Sequence, residues 1–188
     1  MTDDVRRLVE KSLRGDSAAV GELIDRFRDR VFGLCFRMLG RREDAEDAAQ
    51  EAFVRAIRHL DRWDSSREFA PWLLTIAANR CRTLRVRQAK HRAASAEVEL
   101  LADPRPDESA ARHLADEVRL ALAELRDDHR QAFVLFHAEQ MSYADIAAAL
   151  DVPLGTVKTW VHRARLELGA RLRRRGAVEG EEDAMPRV

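Results

Sequence analysis

The chain contains 188 residues, with 33 lysines and arginines against 33 aspartates and glutamates, so its formal net charge is zero. No apolar run approaches the ~18 residues of a membrane span, and the charged N-terminus is unlike a signal peptide. We therefore expect a cytoplasmic protein that is not inserted in a membrane. The two cysteines, Cys35 and Cys81, lie within apolar helical patterns and are interpreted as small core residues, not as a disulfide.

The first half of the chain has the pattern of four helices. The first spans about Asp3–Arg14, and the second begins after the N-cap Asp16 and ends at Gly40. The third begins near Glu43, and the fourth begins near Pro71, a residue suited to a first helical turn. Apolar residues of the third helix recur at helical spacing: Ala45, Ala48, Ala49, Ala52, Phe53, Ala56, Ile57 and Leu60.

The charged residues are concentrated in blocks. Acidic residues cluster between Asp44 and Glu51, whereas basic residues cluster at Arg80–Arg92 and at Arg171–Arg175. A neutral total therefore conceals local basic surfaces of the kind that bind nucleic acid. Each block is also compatible with an ordinary solvated helix face.

The pattern changes between Ala93 and Arg112, where two prolines occur without consistent periodicity, as is typical of a linker. Helices resume at about Leu114–Leu125 and Asp128–Glu139. Because strand patterns are absent, the sequence predicts an all-α protein of two small helical domains joined by a flexible linker. The predicted boundaries are 1–92 for the N-terminal domain, 93–112 for the linker, 113–175 for the C-terminal domain and 176–188 for an acidic tail expected to be disordered.

The C-terminal domain is predicted to contain a helix-turn-helix. Ser142 is a good N-cap, and Asp145 completes a capping box. Asp151 tolerates a left-handed turn, and Pro153 prevents the first helix from continuing. Gly155 is expected to free the backbone for the second helix.

The second helix of this motif is amphipathic. One face is apolar: Val157, Val161, Ala164 and Leu168. Thr159, His162 and Arg163 lie on the opposite face, with Lys158 and Arg165 on a flank. A helix that binds in the DNA major groove requires an apolar face towards its own domain and a basic face towards the DNA. The alternative is a plain helical hairpin with a solvated basic face.

Three segments in this order resemble a known family. DAEDAAQEAFVRAIRHLDRW (Asp44–Trp63) and FAPWLLTIAANRCRTLRVR (Phe69–Arg87) are similar to the N-terminal half of extracytoplasmic-function (ECF) sigma factors, the small promoter-recognition subunits of bacterial RNA polymerase. SYADIAAALDVPLGTVKTWVHRARLEL (Ser142–Leu168) is similar to their C-terminal half. The resemblance covers about residues 5–172, including the linker.

The resemblance implies three interfaces, which we write as expectations. The third helix would dock on the β′ coiled coil of core RNA polymerase through Asp47, Gln50 and Glu51. The fourth helix would bind and open the −10 promoter element through Asn79, Arg80, Arg82 and Arg85. The second helix of the helix-turn-helix would bind the −35 element through Thr156, Lys158, Thr159, His162, Arg163 and Arg165. The β flap of the polymerase and an anti-sigma factor are the further partners implied.

The chemistry of the fourth helix fits that expectation. A base leaving the DNA stack needs a pocket with hydrogen-bonding groups, which Asn79 and the loop Asp64–Glu68 can supply. We expect the nearby aromatic residues Trp63, Phe69 and Trp72 to be mainly core. The chain departs from the family pattern at Thr83, where an acidic residue is usual, and at Trp160, where an arginine is usual. We expect Trp160 to pack beside the buried face.

Two other classes of protein are the alternatives. A stand-alone helix-turn-helix regulator with an N-terminal sensor or dimerisation domain would bind duplex DNA without polymerase. An enzyme is disfavoured, because the histidines have no metal-ligand spacing and no glycine-rich phosphate loop occurs. We therefore expect no catalytic residues, no metal and no cofactor.

Overall fold

The computed structural model describes residues 2–94 and 110–176, and the side chains of residues 3–88 and 114–176. Within this part of the chain the fold is all-α, as predicted. The α-helices are α1 (Thr2–Leu13), α2 (Ser17–Leu39), α3 (Arg42–Arg58), α4 (Phe69–Ala94), α5 (Ala110–Ala123), α6 (Asp127–His137), α7 (Tyr143–Leu150) and α8 (Leu154–Arg174), with a short 3-10 helix at Leu60–Arg62. No helix in the described ranges is long and apolar enough to cross a membrane.

The helix boundaries of the N-terminal half follow the predicted capping residues. The Asp16 carboxylate accepts hydrogen bonds from the backbone N–H groups of Ala18 and Ala19, at 3.0 and 3.2 Å. Gly40 adopts a left-handed conformation with φ of 78°, which ends α2. Helix α4 begins two residues before Pro71, so the proline still lies in the first turn.

The helix-turn-helix is formed by α7 and α8. The Ser142 hydroxyl accepts a hydrogen bond from the Asp145 N–H at 3.1 Å, which confirms the cap. Asp151 ends α7 with φ of 55°, and Pro153 precedes α8. The prediction for Gly155 was wrong: this residue lies in the first turn of α8 without a positive φ, so Asp151 alone supplies the left-handed residue of the turn.

The N-terminal half packs around the alanine-rich face of α3. Small residues let α3 approach α2 and α4 closely, and the fully buried alanines are Ala45, Ala48, Ala52 and Ala56, with Ala49 nearly buried. Cys35 of α2 and Cys81 of α4 are buried free thiols, as predicted. Hydrogen bonding from Cys35 and burial raise the pKa of Cys81, so it stays a neutral thiol.

Both halves contribute to one apolar core. Helices α2 and α4 contact α6 and α7 of the C-terminal half, and the buried residues from the C-terminal side include Ala132, Leu135, Ile146, Ala149 and Leu150. A smaller cluster joins α5 to α8. Residues 95–109 of the predicted linker and 177–188 of the predicted tail lie outside the described residues. The division into two domains stays a prediction.

Candidate nucleic-acid interface

Helix α8 presents its predicted polar face to solvent. Its four apolar positions are buried: Val157, Val161, Ala164 and Leu168. Its exposed polar positions are Lys158, Thr159, His162 and Arg163. The helical phase inferred from the sequence is therefore confirmed, and the exposed groups form a donor-rich surface.

Two other predicted positions on α8 are less available. Thr156 is half-buried in the first turn. Arg165 is half-buried as well: its Nε donates to Nε2 of His137 at 2.9 Å, and its guanidinium lies 5.9 Å from the ring centre of Phe136. Trp160 is half-buried against the core, as expected from its place beside the buried face.

His137 accepts the hydrogen bond of Arg165, so its Nε2 must be unprotonated. Burial lowers the pKa of His137, and the positive charge of Arg165 lowers it further. The neutral ring is therefore part of the support of α8.

On α4, two predicted DNA-binding side chains contact the end of α7. The Asn79 amide Nδ2 donates to the Ala149 carbonyl at 3.1 Å, and the Arg82 guanidinium lies 3.4 Å from the Leu150 carbonyl oxygen. Thr83, the departure from the family pattern, donates its hydroxyl to the Asn79 carbonyl at 2.9 Å within the helix. The carboxamide of Asn79 is thus held by the C-terminal half.

Arg80 corrects the expectation that it faces DNA. Its side chain is 5% exposed and forms an ion pair with Glu51 of α3, with Nη2 2.5 Å from Oε1. Glu51 is therefore turned towards α4, not fully outward. The predicted buried face of α4 already contained the signal, because position 80 lies three residues after Ala77 and four before Leu84.

Arg85 is half-buried and links three elements. Its Nη1 donates to the Met38 carbonyl of α2 at 2.9 Å, and its Nη2 lies 2.8 Å from Oδ1 of Asp127. The same carboxylate pairs with Arg130, whose pKa is lowered by burial to about 10. In this arrangement Arg85 contributes to packing between the halves.

The loop before α4 lines a cleft between the halves. Asp64 accepts from the N–H and hydroxyl of Ser66 at 2.9 and 2.7 Å, which lowers the pKa of Asp64. Arg6 of α1 donates to the Ser65 carbonyl at 2.8 Å. The cleft has a volume of about 580 Å³, with Trp72 on one wall and α7 on the other. The contribution of α7 could not be inferred from local sequence.

The aromatic residues near this loop belong to the core, as expected. Trp63 and Phe69 are buried, with their rings in an edge-on arrangement and centres 5.4 Å apart. Trp72 is half-buried against Phe69. They support the loop, and Trp63 and Trp72 also line the cleft.

The outer surface of α3 carries the predicted polymerase-binding side chains. Asp47 and Gln50 are exposed. Beside them runs a groove of about 590 Å³ between α2 and α3, lined in part by Phe32, Phe53 and Ile57. The sequence pattern assigned Phe53 and Ile57 to the core stripe, so this groove was missed.

Glu139 was also missed as a functional candidate. It lies in the turn between α6 and α7 and is buried, although nothing in the local pattern distinguishes it from a solvated acid. Its carboxylate forms ion pairs with Arg30 and Arg37, both from α2. Among the described residues, no cluster of side chains could hold a metal ion.

Comparison with known proteins agrees with this organisation. The family model described as Sigma-70 region 2 matches residues 23–91, and that described as Sigma-70, region 4 matches residues 115–168. The chain is 34% identical to the ECF RNA polymerase sigma factor SigW of Bacillus subtilis, over 90% of this chain and 97% of that protein. It is 33% identical to the ECF RNA polymerase sigma-E factor of Escherichia coli, over 88% and 91% of the two chains.

Two solved structures share the fold. CnrH, in complex with the cytosolic domain of CnrY, has a TM-score of 0.67 and 26% identity, with 91% of this chain and 98% of that one covered. The sigma factor RpoE from Bartonella quintana, in complex with the anti-sigma factor NepR, has a TM-score of 0.69 at 24% identity, covering 81% and 96%.

The two helical halves, with a helix-turn-helix in the second, therefore define a promoter-recognising subunit of bacterial RNA polymerase. The chain belongs to the ECF sigma factors of the sigma-70 family.

Proposed function

We propose that α8 recognises the −35 promoter element through its exposed face. The observation that carries this assignment is the burial of the apolar side of α8, because that burial holds Lys158, Thr159, His162 and Arg163 outward. Arg163 is placed to recognise a base edge, and Lys158, on the flank, to contact phosphate. Arg165 and Thr156 support the helix and contact DNA at most at its margin.

The −10 element is proposed to bind α4 and the loop that precedes it. Asn79 carries the carboxamide best suited to an unpaired base, and the proposed pocket for that base is the cleft beside residues 64–68, which Thr75 lines one helical turn before Asn79. Arg82 and Arg85 are assigned to the DNA backbone once the halves separate. Arg80 is assigned to the fold, since its charge is already paired with Glu51.

Core RNA polymerase is proposed to dock on the outer face of α3. Asp47 and Gln50 are exposed there, beside the apolar groove that contains Phe53 and the 43%-exposed Val54. Carboxylates around an apolar groove suit a partner helix with basic and aliphatic side chains, which is the chemistry expected of the β′ coiled coil. The β flap is the second polymerase contact proposed, on the C-terminal half.

An anti-sigma factor is proposed as a further partner, because RpoE was solved in complex with the anti-sigma factor NepR, and CnrH in complex with the cytosolic domain of CnrY. The protein is proposed to act in the cytoplasm, with the polymerase, and to have no catalytic activity of its own. Two domains able to separate would let α4 and α8 contact promoter elements that are apart on the DNA.

The test is reconstitution with core RNA polymerase on a library of random promoter sequences. We expect the protein to co-purify with core polymerase and to direct transcription from templates that share two spaced elements. A stand-alone helix-turn-helix regulator would instead bind duplex DNA tightly without polymerase. Enrichment of a single element by the protein alone, with no polymerase-dependent transcription, would contradict the proposal.

A further inference from the structure

The loop of residues 64–68 forms part of the cleft that the proposed function assigns to a base of the −10 element. Three of its side chains line that cleft: Asp64, Arg67 and Glu68. Every residue of the loop is exposed, whereas Trp63 before it and Phe69 after it are buried. Apolar packing therefore fixes the two ends of the loop, and its middle has to be fixed by hydrogen bonds.

Hydrogen bonds within the loop define its shape. The Asp64 carboxylate accepts from the N–H and the hydroxyl of Ser66, at 2.9 and 2.7 Å. The Arg67 N–H donates to the Asp64 carbonyl at 3.0 Å, which closes a turn. The donors and acceptors of these bonds all lie in the loop and move with it. They therefore define the shape of the turn but not its position against the rest of the cleft.

One hydrogen bond reaches the loop from another element, within the part of the chain that the structure describes. Arg6 of α1 donates from Nε to the Ser65 carbonyl oxygen at 2.8 Å, across 59 positions of sequence. The donor is charged, and hydrogen bonds with a charged donor are stronger than neutral ones. Ser65 is the second residue of the turn, so this bond holds the loop near its middle.

Helix α1 is a firm support for this bond. Its apolar side is buried in the N-terminal half through Val5, Leu8 and Val9. Its first turn is tied to α2, because Arg26 Nη1 lies 2.7 Å from Asp4 Oδ2. Hydrogen bonding to Arg26 lowers the pKa of Asp4, which keeps that carboxylate charged. Arg6 therefore connects a well-packed helix to an exposed loop.

We propose that Arg6 is a positioning residue for recognition of the −10 element. It holds the Ser65 carbonyl, and with it one wall of the cleft, at the distance that the bound base requires. This inference rests on the proposed function of the cleft. Discrimination between bases by hydrogen bonds needs partners that are held within about 0.5 Å. A loop that is free to shift would still admit a base but would select less strictly among bases.

The other role open to Arg6 is a direct contact with a DNA phosphate, since its side chain is 40% exposed. The two roles differ in what they change. A phosphate contact raises affinity for every sequence and adds about one unit to the salt slope. A positioning role changes the preference among bases and leaves the salt slope unaltered. The base preference and the salt slope together therefore distinguish them.

The first test probes the loop in the free full-length chain with trypsin. Arg6→Gln should raise the rate of cleavage after Arg67 about fivefold, because the exposed loop loses a hydrogen bond of ordinary net strength. Arg7→Gln is the matched control, since Arg7 is exposed on the same helix and its substitution removes the same charge and one tryptic site. It should be cleaved after Arg67 at the wild-type rate. A misfolded variant would be cut throughout α2 and α3, whereas a loosened loop is cut faster only within itself.

The second test measures base selection by the holoenzyme during open-complex formation, with each −10 position varied through all bases. At one position, the ratio between the preferred base and the others should fall about fivefold in Arg6→Gln, with the salt slope and the affinity for core polymerase unaltered. Arg7→Gln should keep the wild-type ratio. An unchanged ratio in Arg6→Gln, or an equal fall in both variants, would overturn the proposal. A lower salt slope with the ratio preserved would also overturn it.

The cleavage assay contains neither polymerase nor DNA, so the two claims can fail separately. Faster cleavage of Arg6→Gln, without promoter-directed transcription by the wild type, would reject the proposed function and retain the restraint of the loop by Arg6. Normal transcription by the wild type, with unchanged cleavage and base selection in Arg6→Gln, would retain the proposed function and reject the role of Arg6. Faster cleavage with wild-type base selection would reject that role as well, because the restraint would then have no effect on the pocket.

Discussion

The outward faces of α4 and α8 are both basic and exposed, but on α4 two of the exposed side chains, Asn79 and Arg82, are hydrogen-bonded to the end of α7. On α8 the exposed Lys158 and Arg163 project from a helix whose apolar side is buried. On α4, Asn79 contacts α7 and Arg85 contacts both α2 and Asp127. Polar side chains are therefore exposed on both helices, but on α4 two of them already have hydrogen-bond partners in the C-terminal half. Helical phase predicts which positions face outward, whereas the packing of a neighbouring helix determines whether those side chains already have hydrogen-bond partners.

The largest effect is expected where α4 is committed to its own fold. Glu51→Ala should lower the free energy of unfolding by about 3 kcal/mol, because it leaves Arg80 as an unpaired buried charge. Asp47→Ala, at an exposed position on the same helix, should change it by less than about 0.5 kcal/mol. Urea unfolding of both variants measures the difference. Similar values for the two would show that the Glu51–Arg80 pair does not hold α3 to α4.

Two exposed cations of α8 are expected to have different roles, which separate substitutions would distinguish. Arg163→Ala should weaken binding by ~1–3 kcal/mol at one base position of the −35 element, because a bidentate contact to a base edge is lost. Lys158→Ala should weaken binding about equally on all sequences and lower the salt slope by about one unit, because a phosphate contact is lost.

Salt-dependent affinity of the holoenzyme across a −35 library measures both effects. The two variants control for each other, since they lie on one helix and remove one charge each. If Lys158→Ala changes base preference and Arg163→Ala does not, the assignment of their roles on α8 is reversed.

A third prediction concerns Asn79 once the halves are apart. In a holoenzyme, Asn79→Ala should slow open-complex formation by about tenfold, or ~1.4 kcal/mol, with less effect on closed-complex binding. The physical reason is that the lost pocket contact exists only after a base leaves the stack. Permanganate footprinting on a matched promoter measures melting. Thr83→Ala is the control, because its hydroxyl bonds within the helix. If Asn79→Ala melts the promoter at the wild-type rate, Asn79 has no role in melting and its contact with Ala149 is structural.

The smallest effect is expected at His137, which accepts the hydrogen bond of Arg165 on α8. Since burial and Arg165 lower the pKa of His137 below its ordinary 6.5, the unfolded chain takes up this proton first as the pH falls. The contribution of neutral His137 to stability is complete above about pH 6.5 and declines towards its folded-state pKa. Urea midpoints between pH 7.5 and 5 should show a steeper loss for wild type than for His137→Gln. Parallel pH profiles would contradict the assignment.

The helices and their ends were predictable because the determinants are local. Asp16, Ser142 and Asp151 act through their own backbone neighbourhood, and the alanine face of α3 repeats within one helix. Arg80 shows where prediction from charge clusters fails. It belongs to a basic block in the sequence, but it lies on the buried side of α4. The burial of Arg80 follows from its helical phase, but its partner, Glu51, lies on another helix.

Local residue patterns were enough to predict the all-α class, the capped helix-turn-helix, the outward face of α8 and the resemblance to ECF sigma factors. Each depends on residues within a few turns of one another. The neutralisation of Glu139 by α2 and the contact of Asn79 with the end of α7 depend on how distant helices pack. Those contacts join residues 109 and 70 positions apart, and no local periodicity records which distant charge or carbonyl a side chain will meet.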